Sequence, residues 1–199
     1  MRKLILQMQM SVDGRVSAED GIAWQVWNWN WNGAWLWDDA LKQAFNDSFA
    51  AADCILLSRP MAAQGYIDHW TRAAAANYPA DPHYAFARKI VDADKVVVSG
   101  KLDAAPWPHT RIASRGLALE VETLKREAGG DILCFGGAGF ASALIAAGLV
   151  DEFQFYVNPT AVGRGRSIFP DRGLALRLLG SQAYDCGIVV DRYRPADAD

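Results

Sequence analysis

Short apolar runs that alternate with stretches of helical periodicity constrain the fold of this chain most strongly. Cys54–Leu57, Lys95–Val98 and residues 131–135 are each too short for a helix and mostly apolar, as strands covered on both faces are. Helical patterns separate them, for example from Leu117 to Ala128, where Gly129 and Gly130 end the pattern. This alternation predicts an α/β fold with a largely parallel sheet.

The rest of the chain supports the same class. We predict strands at residues 3–10, 110–113 and 152–157, and helices at residues 38–51, 61–70, 84–91 and 138–147. Residues 174–183 and 187–193 predict a closing antiparallel pair of strands. The alanine-rich stretch 71–82 holds two prolines and is predicted as a loop.

Length and composition favour one domain over residues 1–199 with an apolar core, since 51% of the residues are hydrophobic. The net charge is −3 and no basic run exists, so we predict no nucleic-acid partner. No apolar run is long enough for a signal peptide or a membrane span. Three separate cysteines and no metal-ligand spacing predict reduced thiols, a cytoplasmic protein and no metal site.

The segment from Ile132 to Phe140 reads strand, glycine turn, helix, with Gly136, Gly137 and Gly139 at and after the turn. Glycine lets backbone N–H groups approach an anion, and a helix N-terminus adds partial positive charge. The pattern therefore predicts a phosphate site. A tight turn that needs small residues explains the pattern equally well.

Three charged residues follow strands at positions where ligands bind in α/β proteins. Asp13 is the best candidate for a catalytic acid, because apolar walls near a strand end can raise a carboxyl pKa. A turn-forming aspartate beside Gly14 is the simpler interpretation. Arg59 and Lys101 are candidates for binding a charged ligand, although surface charges at strand ends are common.

The segment 24–37 holds six of the eight tryptophans, namely Trp24, Trp27, Trp29, Trp31, Trp35 and Trp37. Aromatic residues are most often core residues. Six within this segment exceed what one strand or helix face buries, so we favour a pocket wall or a dimer contact.

Taken together, five stretches resemble the dihydrofolate-reductase-like family that includes the reductase domain of the bifunctional riboflavin-biosynthesis deaminase-reductase. They span nearly the whole chain in the family's order: Met10–Gly14, Ile55–Arg59, Lys95–Ser99, Gly130–Gly139, and Leu149 to Gly165 with its Pro159 and Gly163-Arg164-Gly165. The resemblance implies a dihydrofolate-reductase-like α/β fold, with a mixed, mostly parallel central sheet of about eight strands flanked by helices. It also implies a homodimer.

The resemblance further implies bound NADPH and hydride transfer to a C=N or C=O group. The cofactor-binding residues would be Met10, Trp24, Ser58, Arg59, Pro60, Met61, Ser99, Gly100, Lys101, Phe135, Gly136, Gly137, Ala138, Gly139 and Phe140. Asp13 would be the catalytic residue at the mouth of the cleft.

The substrate expected from the resemblance is a small planar heterocycle, pyrimidine-like as in the riboflavin pathway or pterin-like. Riboflavin-pathway reductases tend to carry a glutamate where this chain has Phe135. The family's Gly-Arg-x-Thr and Ser-Arg-Thr-Leu are Ser58–Met61 and Ser99–Leu102 here. A non-catalytic ligand-binding module on the same fold is therefore the alternative.

Overall fold

The structure is a computed structural model that describes residues 1–19, 35–169 and 173–196. Its α-helices are α1 (Asp39–Ser48), α2 (Arg59–Ala63), α3 (Tyr66–Asn77), α4 (Ala85–Asp92), α5 (Leu117–Arg126) and α6 (Ala138–Ala146). Its strands are β1 (Leu4–Ser11), β2 (Ser17–Ala18), β3 (Ala52–Ser58), β4 (Asp94–Val98), β5 (Thr110–Ala113), β6 (Asp131–Cys134), β7 (Glu152–Asn158), β8 (Gly165–Arg166), β9 (Leu176–Ala183) and β10 (Val189–Pro195).

Eight of these strands form one sheet in the order β5-β4-β3-β6-β1-β7-β10-β9. The first six run parallel to one another, and β10 is antiparallel to both β7 and β9. The sheet is therefore mixed and mostly parallel, as predicted. β1 lies in the middle, between two strands that come much later in the chain.

The alternation of β1 explains why each face of the sheet has its own core. Leu4, Leu6, Met8 and Met10 point to one face and pack in a mainly aliphatic core with α5 and α6. Ile5 points to the other face, whose core is rich in aromatic residues contributed mainly by α1, α3 and α4. Both faces are thus covered by helices, which the continuous apolar strand runs required.

Three details differ from the sequence-based expectations. The single helix predicted at residues 61–70 is two helices, α2 and α3, which are separated at Gly65, where a φ of 90° breaks the helical path. The stretch 71–82 is not a loop throughout, because α3 continues to Asn77. Alanine is the strongest helix former, and the prolines act only from Tyr78-Pro79 onward. The two-residue ribbon of β2 and β8 was not predicted, since it is too short to show a period.

Across the described ranges, no helix is both long and apolar enough to span a bilayer. The same residues contain no group of three or more His, Cys, Asp or Glu side chains placed to hold a metal ion.

Candidate active site at the carboxyl edge of the sheet

The parallel strands bring separated segments of the chain to one edge. β1 pairs with β6, β6 with β3 and β3 with β4, so their carboxyl ends lie side by side. Ser58 is level with Val98, which places the segment that begins at Arg59 beside the one that begins at Ser99. Strand order reverses around β1, and such reversals are where open α/β sheets bind ligands.

The glycine turn forms one wall of this edge. Gly136 has a φ of 102° and is joined to Gly137 by a cis peptide bond. This φ requires glycine, because L residues with a side chain rarely adopt it, and a Cβ there would also crowd the Met8 sulfur at 3.0 Å. Gly137 is the N-cap of α6 and provides no side-chain hydrogen bond to the helix. Since the first N–H groups of a helix have no partner within it, the start of α6 can receive an anion.

A cleft of about 540 Å³ opens beside this turn. Residues from β1, β7, the strands β2 and β8, and four helices line it together with the turn: Gln7, Met8, Gln9, Val16, Ser17, Trp37, Phe45, Gln64, Tyr66, Trp70, Ile90, Phe135, Gly137, Ala138, Tyr156 and Arg166. The cleft therefore joins an aromatic wall to the start of α6.

The aromatic wall of the cleft includes the stacked rings of Trp37, Tyr156 and Phe135. The rings of Trp37 and Tyr156 stack with centroids 5.3 Å apart and planes inclined by 6°. Phe135 stacks on Phe49 at 5.8 Å. Burial raises the pKa of Tyr156, so its phenol stays protonated at physiological pH. The wall therefore presents neutral, planar surfaces, which suit a planar ligand.

Asp13 forms hydrogen bonds that fix the loop at the mouth of the cleft. Its carboxylate accepts from the Ser11 hydroxyl (2.6 Å), the Val162 N–H (3.0 Å) and the Gly163 N–H (2.6 Å). These bonds lower the pKa of Asp13 to about 2. The expectation that apolar walls raise this pKa was wrong, because the carboxylate is exposed and surrounded by donors. Asp13 ties β1 to residues 162–163, directly before the ribbon strand β8.

The predicted basic residues lie on the far side of the glycine turn, near the ends of β3 and β4. Ser58 is buried and caps α2 by accepting from the Met61 N–H. Arg59 is half-buried at the first position of α2. Buried Ser99 accepts from the N–H of exposed Lys101. Neither Arg59 nor Lys101 has an ion pair among the described residues.

The structure separates the predicted cofactor residues into groups. Phe135, Gly137 and Ala138 line the cleft. The side chains of Met10 and Met61 are buried in the two cores, and Phe140 packs against the aliphatic core. Four of the predicted glycine and proline positions are exposed, namely Pro60, Gly100, Gly137 and Gly139. Trp24 lies outside the described residues, as do Trp27, Trp29 and Trp31.

Sequence reasoning missed most of the cleft lining. Gln7 and Gln9 interrupt the apolar run of β1 at alternate positions, and this polar alternation was the available signal. Tyr156 and Arg166 come from distant parts of the chain. Their proximity depends on strand order, which local patterns do not reveal.

The family comparison agrees with this architecture, since the model of the RibD C-terminal domain matches residues 2–190. The chain belongs to the RibD C-terminal domain family. Among solved structures, the RibD of Acinetobacter baumannii superposes on this chain with a TM-score of 0.60 at 17% sequence identity, and the match covers 98% of this chain and 58% of that one.

Other relatives cover the chain equally well. The uncharacterised protein YyaP of Bacillus subtilis (strain 168) is 24% identical over 94% of this chain and 92% of its own. A deaminase/5-amino-6-(5-phosphoribosylamino)uracil reductase from Thermotoga maritima gives a TM-score of 0.65 at 12% identity. It is matched over 98% of this chain and 57% of its own. At these identities the structural likeness establishes the dihydrofolate-reductase-like fold of the RibD C-terminal domain.

Proposed function

We propose that the protein is an NADPH-dependent reductase of a small planar heterocycle. The observation that supports this best is the cleft that joins the aromatic wall to the uncapped start of α6. A redox cofactor and a planar substrate need adjacent sites of these two kinds, one for phosphate and one for a ring.

The residues at the turn fit a dinucleotide phosphate. A Cβ built on Gly137 or Gly139 meets no atom within 4 Å, so space remains for a ligand to approach the backbone. Arg59 and Lys101 supply positive charge near the ends of β3 and β4 for a further phosphate, such as the 2′-phosphate of NADPH.

When bound, NADPH would supply a hydride. The chain's own residues would bind and orient: the N–H groups at the start of α6 hold phosphate, and Phe135 and Trp37 stack with a ring. The Asp13-anchored loop borders the cleft and limits water. With its low pKa, Asp13 acts as a positioning residue in this proposal and not as the proton donor.

A pyrimidine of the riboflavin pathway, 5-amino-6-(5-phosphoribosylamino)uracil, is the first substrate to test, because the T. maritima relative is named as its reductase. Phe135 favours a substrate that stacks on this wall, and pterins are the second class. If neither is reduced while nucleotide binds, the protein is a ligand-binding module on the same fold.

Cofactor fluorescence on titration with NADPH tests the proposal directly, and Gly139 offers a matched pair of variants. Gly139→Asp places a carboxylate at the start of α6 and should weaken NADPH binding about tenfold, equivalent to about 1.4 kcal/mol. Gly139→Asn has the same shape without the charge and should lose much less. Absence of wild-type binding at millimolar NADPH would refute the proposal. Equal losses of NADPH affinity in Gly139→Asp and Gly139→Asn would refute the phosphate site at the start of α6.

We also propose, from the family resemblance, a cytoplasmic homodimer. Sedimentation velocity of the purified protein tests the dimer, and a single monomeric species would refute it.

A further inference from the structure

A row of polar side chains crosses the buried aromatic face of the sheet from β10 to β1. Arg192 donates from Nε (3.0 Å) and Nη2 (2.9 Å) to Oε1 of Glu152. Gln154 Nε2 donates to the same oxygen at 2.9 Å, and Gln7 Nε2 donates to Gln154 Oε1 at 2.6 Å. Glu152, Gln154 and Gln7 expose only 4%, 8% and 3% of their surfaces. The row is thus buried at three of its four members.

The donors and acceptors in this row have one consistent direction. A guanidinium can only donate, so Glu152 accepts from Arg192. Gln154 must then turn its amide nitrogen toward Glu152, which leaves its oxygen facing Gln7. Gln7 must in turn present its nitrogen to Gln154. The orientation of the Gln7 amide is therefore set by an ion pair two residues away in the row.

Ser48 supports the same orientation. Its hydroxyl donates to the Phe45 carbonyl at 2.6 Å, so its oxygen accepts from Gln7 Nε2 at 2.9 Å. Both protons of the Gln7 amide nitrogen are thus used by acceptors on the protein.

The remaining atom, Gln7 Oε1, is buried and has no hydrogen-bond partner in the part of the chain that the structure describes. Buried acceptors nearly always have a partner in native proteins. Gln7 also lines the cleft, beside Phe135, Trp37 and Tyr156. Because Gln7 is a lining residue, a donor on a ligand in the cleft would give this oxygen its missing partner.

We propose that Gln7 Oε1 is the acceptor that recognises an N–H group on the edge of the planar substrate, and that Gln154 and Glu152 are positioning residues that hold it in this orientation. The substrate class is then a heterocycle with a ring amide N–H. This inference rests on the proposed function only in taking the cleft as the substrate site.

Calorimetry with two probes tests the acceptor. Lumazine (pteridine-2,4-dione) has two ring N–H donors, and 1,3-dimethyllumazine has none. In mildly acidic buffer without NADPH, wild type should bind lumazine about tenfold more tightly, as expected for one hydrogen bond to a buried acceptor. Gln7→Met keeps the size of the side chain and should bring the ratio close to one, with the affinity for 1,3-dimethyllumazine retained.

The positioning role has its own variant and control. Glu152→Met removes the oxygen that accepts from Gln154, so Gln154 is free to turn and Gln7 can present either its oxygen or its nitrogen to the cleft. The probe ratio should then fall about threefold or more. Lys3→Met is the control, since Lys3 is exposed and its Nζ lies 3.9 Å from the other oxygen of Glu152. It should preserve the ratio. A merely structural role of Glu152 would lower the Tm and leave the probe ratio unchanged.

The possible results separate this proposal from the reductase proposal. Equal binding of the two probes by wild type, an unchanged ratio in Gln7→Met, or no binding of lumazine would overturn the acceptor role. A loss of NADPH affinity in Gln7→Met with an unchanged ratio would also overturn it, because Oε1 would then serve the cofactor. A ratio that behaves as expected in a protein that binds no NADPH would support the acceptor and refute the reductase.

Discussion

Lys95 shows how a single buried charge can complete a helix end. It is 1% exposed, and its Nζ donates to the carbonyls of Ile90, Val91 and Ala93 at 3.0, 2.9 and 2.7 Å. Burial lowers the pKa of the lysine, but these carbonyls at the end of α4 stabilise the ammonium.

Lys95→Met should therefore destabilise the fold although it fills the same space. Three carbonyls would lose their donor, and we expect a decrease of about 1–3 kcal/mol in the free energy of unfolding. Urea denaturation measures it, with Lys89→Met, an exposed change on the same helix, as the control. Equal stability of the two variants would show that the carbonyls find other donors.

Glu120 contributes stability that depends on pH. Its carboxylate accepts from the Arg115 side chain at 2.9 and 3.1 Å and from the Arg115 N–H at 3.0 Å. These bonds lower its pKa from 4.5 to about 2. Because the folded pKa is the lower one, the unfolded chain takes up the proton first as the pH falls.

The stabilisation from Glu120 should thus be complete above pH 4.5 and disappear between pH 4.5 and about 2. Glu120→Gln should be less stable than wild type at neutral pH, and the two urea midpoints should converge in acid. Glu122→Gln, an exposed change on α5, serves as the control. A gap that persists unchanged to pH 2 would contradict this assignment.

Among the elements, the ribbon of β2 and β8 shapes the mouth of the cleft. A Cβ at Gly165 would lie 1.8 Å from the Ser17 carbonyl oxygen, so only glycine allows β8 to pair with β2. Ser17 and Arg166 both line the cleft. The ribbon therefore depends on one glycine and on the loop that Asp13 anchors.

Gly165→Ala should open the ribbon and move Ser17 and Arg166 away from the cleft. We expect faster amide hydrogen exchange over residues 15–19 and 160–166, with the central sheet unchanged. Gly173→Ala is the matched control, because a Cβ there meets nothing within 4 Å. Unchanged exchange in Gly165→Ala would mean that the ribbon tolerates the clash by shifting.

The elements also show what sequence alone could predict. The strands and helices that bury an apolar face were found, because period and length are local properties. The glycine turn after β6 was found for the same reason. Gln7 was missed because the orientation of its side-chain amide depends on Gln154, which is 147 positions away and is brought near only by strand pairing. The second half of α3 is not predicted as helix, because the same alanine-rich stretch also contains two prolines, which end helices.

For the whole molecule, cofactor binding should raise thermal stability. A ligand at a hundredfold excess over its Kd stabilises the folded state by about 2.7 kcal/mol, which for a chain of this size corresponds to a Tm increase of roughly 5–10 °C. NADPH should produce a larger shift than NADH, since Arg59 and Lys101 favour the additional phosphate.

Arg59→Met tests the source of that preference. It should reduce the NADPH shift toward that of NADH, whereas Arg72→Met, an exposed change on α3, should not. Equal Tm increases with NADPH and NADH in the wild type would show that Arg59 does not bind the additional phosphate.

The central place of β1 has a consequence for synthesis on the ribosome. β1 is made before every other strand of the sheet, yet its neighbours are β6 and β7, and the contact from Arg2 to Gly130 already spans 128 residues. Its hydrogen-bonding edges therefore stay unpaired while most of the chain is translated. Gln7 and Gln9 make the nascent segment less apolar over this interval, and polar residues within an apolar strand lower its tendency to aggregate.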